Sequence, residues 1–157
     1  MELDYKVGVL GAADVYRAFA VIQHVFSDLD LEKWKALTAT AELRNDWLVV
    51  KDARGYIRGL CYVFTRSRGV SGLQMEIPIF ASVSLFDEQG VARRLFEFAK
   101  ARAKLEACSM IHFWSGGSKK WSNLAALIEA DCLNDGLVYD LSTDSRNALH
   151  PILPVKM

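Results

Sequence analysis

The 157-residue sequence has little cysteine, little proline, no surplus of charge of either sign and no long hydrophobic run. Lys plus Arg and Asp plus Glu both number 19, so no net field gathers nucleic acid or coats an anionic membrane. Nucleic acid and membrane are therefore not expected as partners. No uninterrupted apolar stretch reaches membrane-spanning length. The opening Met1-Glu2-Leu3-Asp4 is acidic and lacks the basic and apolar regions of a signal peptide. Cys61, Cys108 and Cys132 are odd in number, far apart and match no zinc spacing. They read as small buried hydrophobes in a reducing compartment, which sets no metal and a cytoplasmic location as the expectation. With no repeat, no low-complexity tract and no linker rich in Pro, Gly or Ser, residues 1–157 read as a single domain.

What is present is the composition of a globular chain, 52% hydrophobic and 24% charged, long enough to bury a sizeable core. Tyr5 to Leu10 is a short apolar run ending at Gly11, and predicts a first strand. Asp14 then stands where it would cap a helix on which Val15, Phe19, Ile22 and Phe26 share a face. Leu31, Trp34, Leu37 and Ala41 mark a second helix. Residues 47–65 predict a hairpin: apolar Trp47 to Val50, turn chemistry from Lys51 to Gly55, and a β-rich return from Tyr56 to Thr65.

After a loop at 67–72, Leu73 to Phe86 is again β-rich. The period then changes, and Val91, Leu95, Phe98, Ala99, Arg102 and Leu105 define a helix from Gln89 to Glu106. Ser109 to Trp114 returns to strand character, Ser115-Gly116-Gly117-Ser118 breaks it, and Lys119 to Leu133 reads as a helix before a last strand at Leu137 to Leu141. The order β, α, α, β, β, β, α, β, α, β predicts an α+β fold: a mixed sheet with helices on both faces.

The junction at Asp87-Glu88-Gln89-Gly90-Val91-Ala92 is where a strand delivers the chain into a helix. A helix start presents unpaired N–H groups and partial positive charge, which suit a phosphate or pyrophosphate. Gly90 and Ala92 are small enough for close backbone approach, and Arg93 and Arg94 could add charge-assisted contacts. An ordinary turn with two solvated arginines fits the same residues.

The final Gly90-x-Ala92 half of this stretch resembles the Arg/Gln-x-x-Gly-x-Gly/Ala signature of the GNAT superfamily of acyl-CoA-dependent N-acyltransferases, with Asp87 where that signature has Arg or Gln. Residues 47–65 resemble the family's central hairpin, and Asn123 followed by Ala126, with Gly136-Leu137 beyond, resembles its Asn-x-x-Ala…Gly-Phe region. The element order matches over nearly the whole chain. The resemblance implies a mostly antiparallel mixed sheet and acetyl-CoA or a longer acyl-CoA as cosubstrate. It implies a pyrophosphate on the amides of about Gln89, Gly90, Val91, Ala92, Arg93 and Arg94. The pantetheine arm would bond the main chain of Ser82, Val83 and Ser84, with Asn123 contacting the arm or ordering its pocket.

Acyl transfer needs a neutral amine, hence a base, and a donor for the leaving thiolate. The resemblance points to Glu76, fourteen residues before Gly90, as the base; burial beside Pro78 and Phe80 is expected to raise its pKa. A glutamate on an exposed strand face fits the residue equally. The family's usual acid is a tyrosine seven residues after the asparagine; here that position is Ala130, and Tyr139, the next tyrosine along the chain, is the candidate to substitute if the last strand places it near the thiol. His24 and His112 read as structural histidines, and Trp114 and Trp121 flank the Gly116-Gly117 loop where an acceptor pocket would lie.

The expectation is thus direct acyl transfer to a small-molecule amine or protein amino group. The alternative, favoured by Asp87 and Ala130, is a catalytically silent GNAT-like module that binds a ligand or protein partner. Exposed strand edges would suit a homodimer.

Overall fold

The computed structural model describes residues 4–83, 87–114, 126 and 136–143. Six strands form one sheet in sequential order: β1 (Lys6–Val9), β2 (Trp47–Lys51), β3 (Ile57–Ser67), β4 (Leu73–Ser82), β5 (Cys108–Phe113) and β6 (Leu137–Asp140). All neighbours are antiparallel except β4 and β5, which run parallel. A parallel pair needs a crossover, and helix α4 (Glu88–Leu105) supplies it. The predicted mixed, mostly antiparallel sheet is what the chain forms. Of the predicted helix at 119–133 only residue 126 is among the described residues, and it is helical.

The hairpin at 47–65 forms as the turn chemistry requires. Gly55 takes φ +87, and Asp52 accepts from the N–H groups of Arg54 and Tyr56, which ties the turn to its own side chain.

Alternation along the strands builds two cores on opposite faces. On one face Leu48, Val50, Cys61, Val63, Met75, Ile77, Ile111 and Phe113 meet Val91, Leu95, Phe96, Ala99 and Ala103 of α4. Gly59 allows this approach, because a Cβ there would collide with Val91 Cγ1. On the other face Trp47, Val49, Leu60 and Ile79 meet α1 (Val15–Val25) and α2 (Leu31–Leu37) through Val15, Ala18, Ile22 and Trp34. Trp34 is fully buried and donates its indole N–H to the carbonyl of Val15 at 2.7 Å, locking α2 to the start of α1. Cys61 and Cys108 are buried and unpaired, and burial pushes both thiols up.

Two local expectations are corrected. Asp14 makes no side-chain cap for α1; its carboxylate accepts from Lys51 Nζ at 3.0 Å instead, joining the helix start to β2. The second helix does not continue to Ala41. It ends at Thr38, whose hydroxyl donates back to the Trp34 carbonyl, and Thr40 caps a separate turn, α3 (Ala41–Arg44).

Candidate functional site

In β4, Gln74 and Glu76 alternate with the α4-facing Met75 and Ile77, so both point to the α1–α2 face. Parallel pairing sets Glu76 opposite His112 and Ile77 opposite Phe113, and the pairing ends there. At the same point two residues of β4, Ile77 and Pro78, stand opposite Val63 of β3 as a bulge. Proline has no N–H to offer a sheet, so the kink and the loss of β5 coincide where the sequence has Pro78. The Trp114 N–H donates to the Ile77 carbonyl at 3.1 Å and closes the pair.

Beyond this point β4 keeps only β3 as a partner among the described residues. Val83 N–H donates to the Arg58 carbonyl at 2.8 Å, so it faces β3. By alternation the main-chain groups of Phe80 and Ser82 face the β5 side, where an extended ligand would find them. The Ser82 hydroxyl donates to the Glu88 carbonyl at 3.1 Å. Of the three residues expected to serve the arm, Ser82 therefore faces the open edge, Val83 bonds across to β3, and Ser84 lies outside the described residues, as does Asn123.

Glu76 is fully buried. Its Oε1 lies 2.9 Å from Nδ1 of His112 and accepts from the Trp114 indole at 3.2 Å, while Oε2 accepts from Gln74 Nε2 at 2.8 Å. The reading of Glu76 on an exposed face is thus excluded. So is the expected rise in its pKa: burial does push the carboxyl up, but the contacts with His112, Gln74 and Trp114 outweigh it and hold the group below its ordinary range. An aromatic row leads to this centre along the α1–α2 face. Trp34, Trp47, Tyr62, Phe64 and Trp114 follow one another with ring centroids 4.8, 4.8, 6.0 and 6.2 Å apart.

Tyr139 pairs with Ile111 and so faces α4, where it packs edge-on against Phe96 at 5.2 Å beneath Lys100. Glu76 and Tyr139 lie on opposite faces of the sheet, and the structure does not bring the two together. His112, read from sequence as structural, is the residue that does meet Glu76. The signal available was its parity: His112 and Trp114 share a face in a six-residue strand, but which strand would lie beside them was not written locally.

The start of α4 holds the second set of predicted residues. Asp87 is its N-cap; Oδ1 accepts from Gly90 N–H at 3.1 Å, and Oδ2 accepts from the Tyr5 hydroxyl at 3.0 Å. A Cβ on Gly90 would collide with that carboxylate, so the glycine makes room for Asp87. Arg94 donates to the Tyr5 carbonyl at 2.9 Å, while Gln89 and Arg93 are exposed, Ala92 is partly covered and Val91 is buried against the sheet. Gly90 N–H, one of the helix-start amides expected to meet a phosphate, already holds an anion that the chain itself provides.

No protein-family model matches the sequence, and no curated protein is significantly similar to it. Solved structures do match in fold. The chain superposes on glucosamine-6-phosphate N-acetyltransferase from Arabidopsis thaliana with a TM-score of 0.61 at 14% identity, over 85% of this chain and 95% of that one. It superposes on the aminoglycoside N-acetyltransferase AAC(6')-Iy in complex with CoA with a TM-score of 0.64 at 11% identity, over 87% and 92%. A GNAT family acetyltransferase of Staphylococcus aureus gives 0.61 at 16% identity, over 76% and 91%. The fold is that of the GNAT acetyltransferases.

Proposed function

We propose that the chain transfers an acyl group, acetyl in the first instance, from acyl-CoA to an amine by direct attack in a ternary complex. The observation that carries this is the buried Glu76 centre standing where β4 and β5 cease to pair. That position offers main-chain groups of Phe80 and Ser82 for a donor's arm, with a buried carboxylate and its bonded partners at the same end of the β4–β5 pairing. Solved structures of the same fold include an aminoglycoside N-acetyltransferase in complex with CoA and the NatC complex bound to a Gag peptide and CoA, which supports small amines and protein amino groups alike as acceptor classes.

In this reading the helix-start amide of Gln89 and the guanidinium of Arg93 meet the donor's phosphates, since Gly90 N–H is held by the Asp87 carboxylate and Val91 N–H by the Asp87 carbonyl, and Asn123 serves the arm. Tyr139 would reach the leaving thiolate only from the α4 side of the sheet, and its packing on Phe96 argues for a structural role. Buried, unpaired Cys61 and Cys108 support a cytoplasmic setting. The outward Val7 and Val9 of edge strand β1 support a homodimer, which sedimentation would measure.

Calorimetry with acetyl-CoA and longer acyl-CoAs tests the reading, since a ligand that binds the native state raises the melting point by mass action. No response across the series removes the transferase and leaves a second reading, a silent binding module. One observation favours that second reading: the Asp87 carboxylate occupies the Gly90 amide where an anionic donor would sit.

A further inference from the structure

We infer that Arg17 and Arg58, both set against the exposed ring of Tyr56, form a binding site for a phosphate monoester at the end of the sheet where β4 runs into α4. That phosphate has two sources: the 3′-phosphate of an acyl-CoA, which rests on the acyl-transfer reading, or a phosphate carried by the acceptor amine. The guanidinium carbons lie 5.7 and 5.5 Å from the centroid of the Tyr56 ring, which is 51% exposed. Two like charges at one ring repel, and the ring's quadrupole attracts each without neutralising either. An anion shared by the two forks relieves that repulsion and gains charge-assisted hydrogen bonds.

The local fold fixes both arms. Arg17 projects from the first turn of α1, and its Nη1 donates to the Gly55 carbonyl at 2.8 Å. A Cβ at residue 55 would stand 2.9 Å from that same Nη1, so the glycine that closes the hairpin also makes room for the arginine. Arg58 is held by the turn itself. Its Nε donates to Asp52 Oδ2 at 2.8 Å, while Oδ1 of that carboxylate accepts from the N–H groups of Arg54 and Tyr56. The carboxylates around the cluster are already matched, Asp52 by Arg58 and Asp14 by Lys51. Arg17 is exposed, and among the described residues it meets a carbonyl and a ring but no carboxylate. Exposed Arg54 on the same turn adds to the excess of positive charge.

Hydrogen bonds join this cluster to the start of α4. Val83 N–H donates to the Arg58 carbonyl at 2.8 Å, and one residue earlier the Ser82 hydroxyl donates to the Glu88 carbonyl in the first turn of α4. At α4 itself Asp87 already holds the amides of Gly90 and Val91, so a ligand bringing several phosphate charges finds fewer free amides than a bare helix start offers. Fixed guanidinium charge on the neighbouring hairpin supplies what those amides do not. A phosphate monoester has three terminal oxygens to divide between two forks, whereas a carboxylate is satisfied by one.

Calorimetry on the full chain with paired probes tests this. Acetyl-CoA and 3′-dephospho-acetyl-CoA differ by one phosphate, as do glucosamine 6-phosphate and phosphoethanolamine from glucosamine and ethanolamine. On at least one pair the wild-type chain should prefer the phosphorylated member about 30-fold. R17Q should cut that preference about tenfold and R17E should abolish it, with affinity for the phosphate-free member kept within about twofold. Arg17 is exposed, so both variants should keep the wild-type melting point; R58Q should cut the same preference from the hairpin side. A preference on the acetyl-CoA pair assigns the site to the donor, and one on an amine pair assigns it to the acceptor. The inference is overturned if no pair shows a preference, if the preference survives in R17E, or if the variants weaken both members of a pair equally, as a merely structural role requires. A wild-type chain that binds neither CoA form takes the transfer reading down, and the amine pairs then decide the inference by themselves. A chain that binds both CoA forms equally and shows no preference among the amines overturns the inference and leaves the transfer reading standing.

Discussion

Glu76 and Asp87 lie eleven residues apart, on the strand and at the start of the helix that follows it. Both are carboxylates whose oxygens are fully engaged, yet their surroundings differ in kind. Asp87 is half-buried and closes on an amide three residues ahead, and its other oxygen accepts from the distant Tyr5 hydroxyl. Glu76 has no exposure, and His112 and Trp114 reach it from 36 and 38 residues away. A helix cap is a local convenience that a neighbouring loop can reorganise. A buried carboxylate fed from two strands is built into the sheet, and removing it strands its donors in a place without water.

The largest test of that contrast is stability. Glu76→Ala should cost about 3–5 kcal/mol in urea unfolding, because the partners of a buried charge are left unsatisfied. Asp87→Ala should cost about 1 kcal/mol, the usual worth of an N-cap. Equal losses would erase the distinction. The pH dependence sharpens it. The Glu76 carboxyl is lowered in the fold relative to its ordinary 4.5, so its contribution is fully present above that value and is lost as pH falls through the folded pKa. Glu76→Gln should therefore flatten the acid side of the stability curve, measured by urea midpoints from neutral pH downward.

Gly90→Ala comes next. In the wild-type background it evicts the Asp87 carboxylate and should destabilise by about 1 kcal/mol, whereas beside Asp87→Ser the same change should turn neutral or stabilising, as alanine is the better helix former. A melting-temperature cycle of the four proteins reads this directly. Asp87→Ser alone keeps an oxygen for the cap and removes the charge; it should tighten acetyl-CoA binding about fivefold, or about 1 kcal/mol, in calorimetry. The smallest effect is Tyr5→Phe, which removes one hydrogen bond to Asp87 and should cost at most about 1 kcal/mol.

Much of this molecule is legible in its sequence. The Asp52–Gly55 turn carried its own hydrogen-bond acceptor and its own positive-φ residue, so the hairpin could be read from a few adjacent letters. The α4 stripe of Val91, Leu95, Ala99 and Arg102 repeated at helical spacing, and the strand after it ran apolar. Where reading failed, a partner far along the chain had intervened. Asp14 looked like a cap until Lys51 arrived from β2. Trp34 drew Thr38 back and ended a helix whose apolar spacing ran on. Burial of Glu76 pointed to a raised pKa until His112 and Trp114 were beside it. Tyr139 and Glu76 could be paired on paper because the face each strand residue takes depends on registers that neither segment specifies alone.

By itself, then, the sequence determined the period of each segment, the order of the elements and the small residues that turns and close contacts demand, because these follow from interactions within a few residues. Tertiary structure alone decided which carboxylate is buried, which amide is already occupied and which histidine meets Glu76, because electrostatics and solvation depend on neighbours that only the closed sheet brings within a few ångströms.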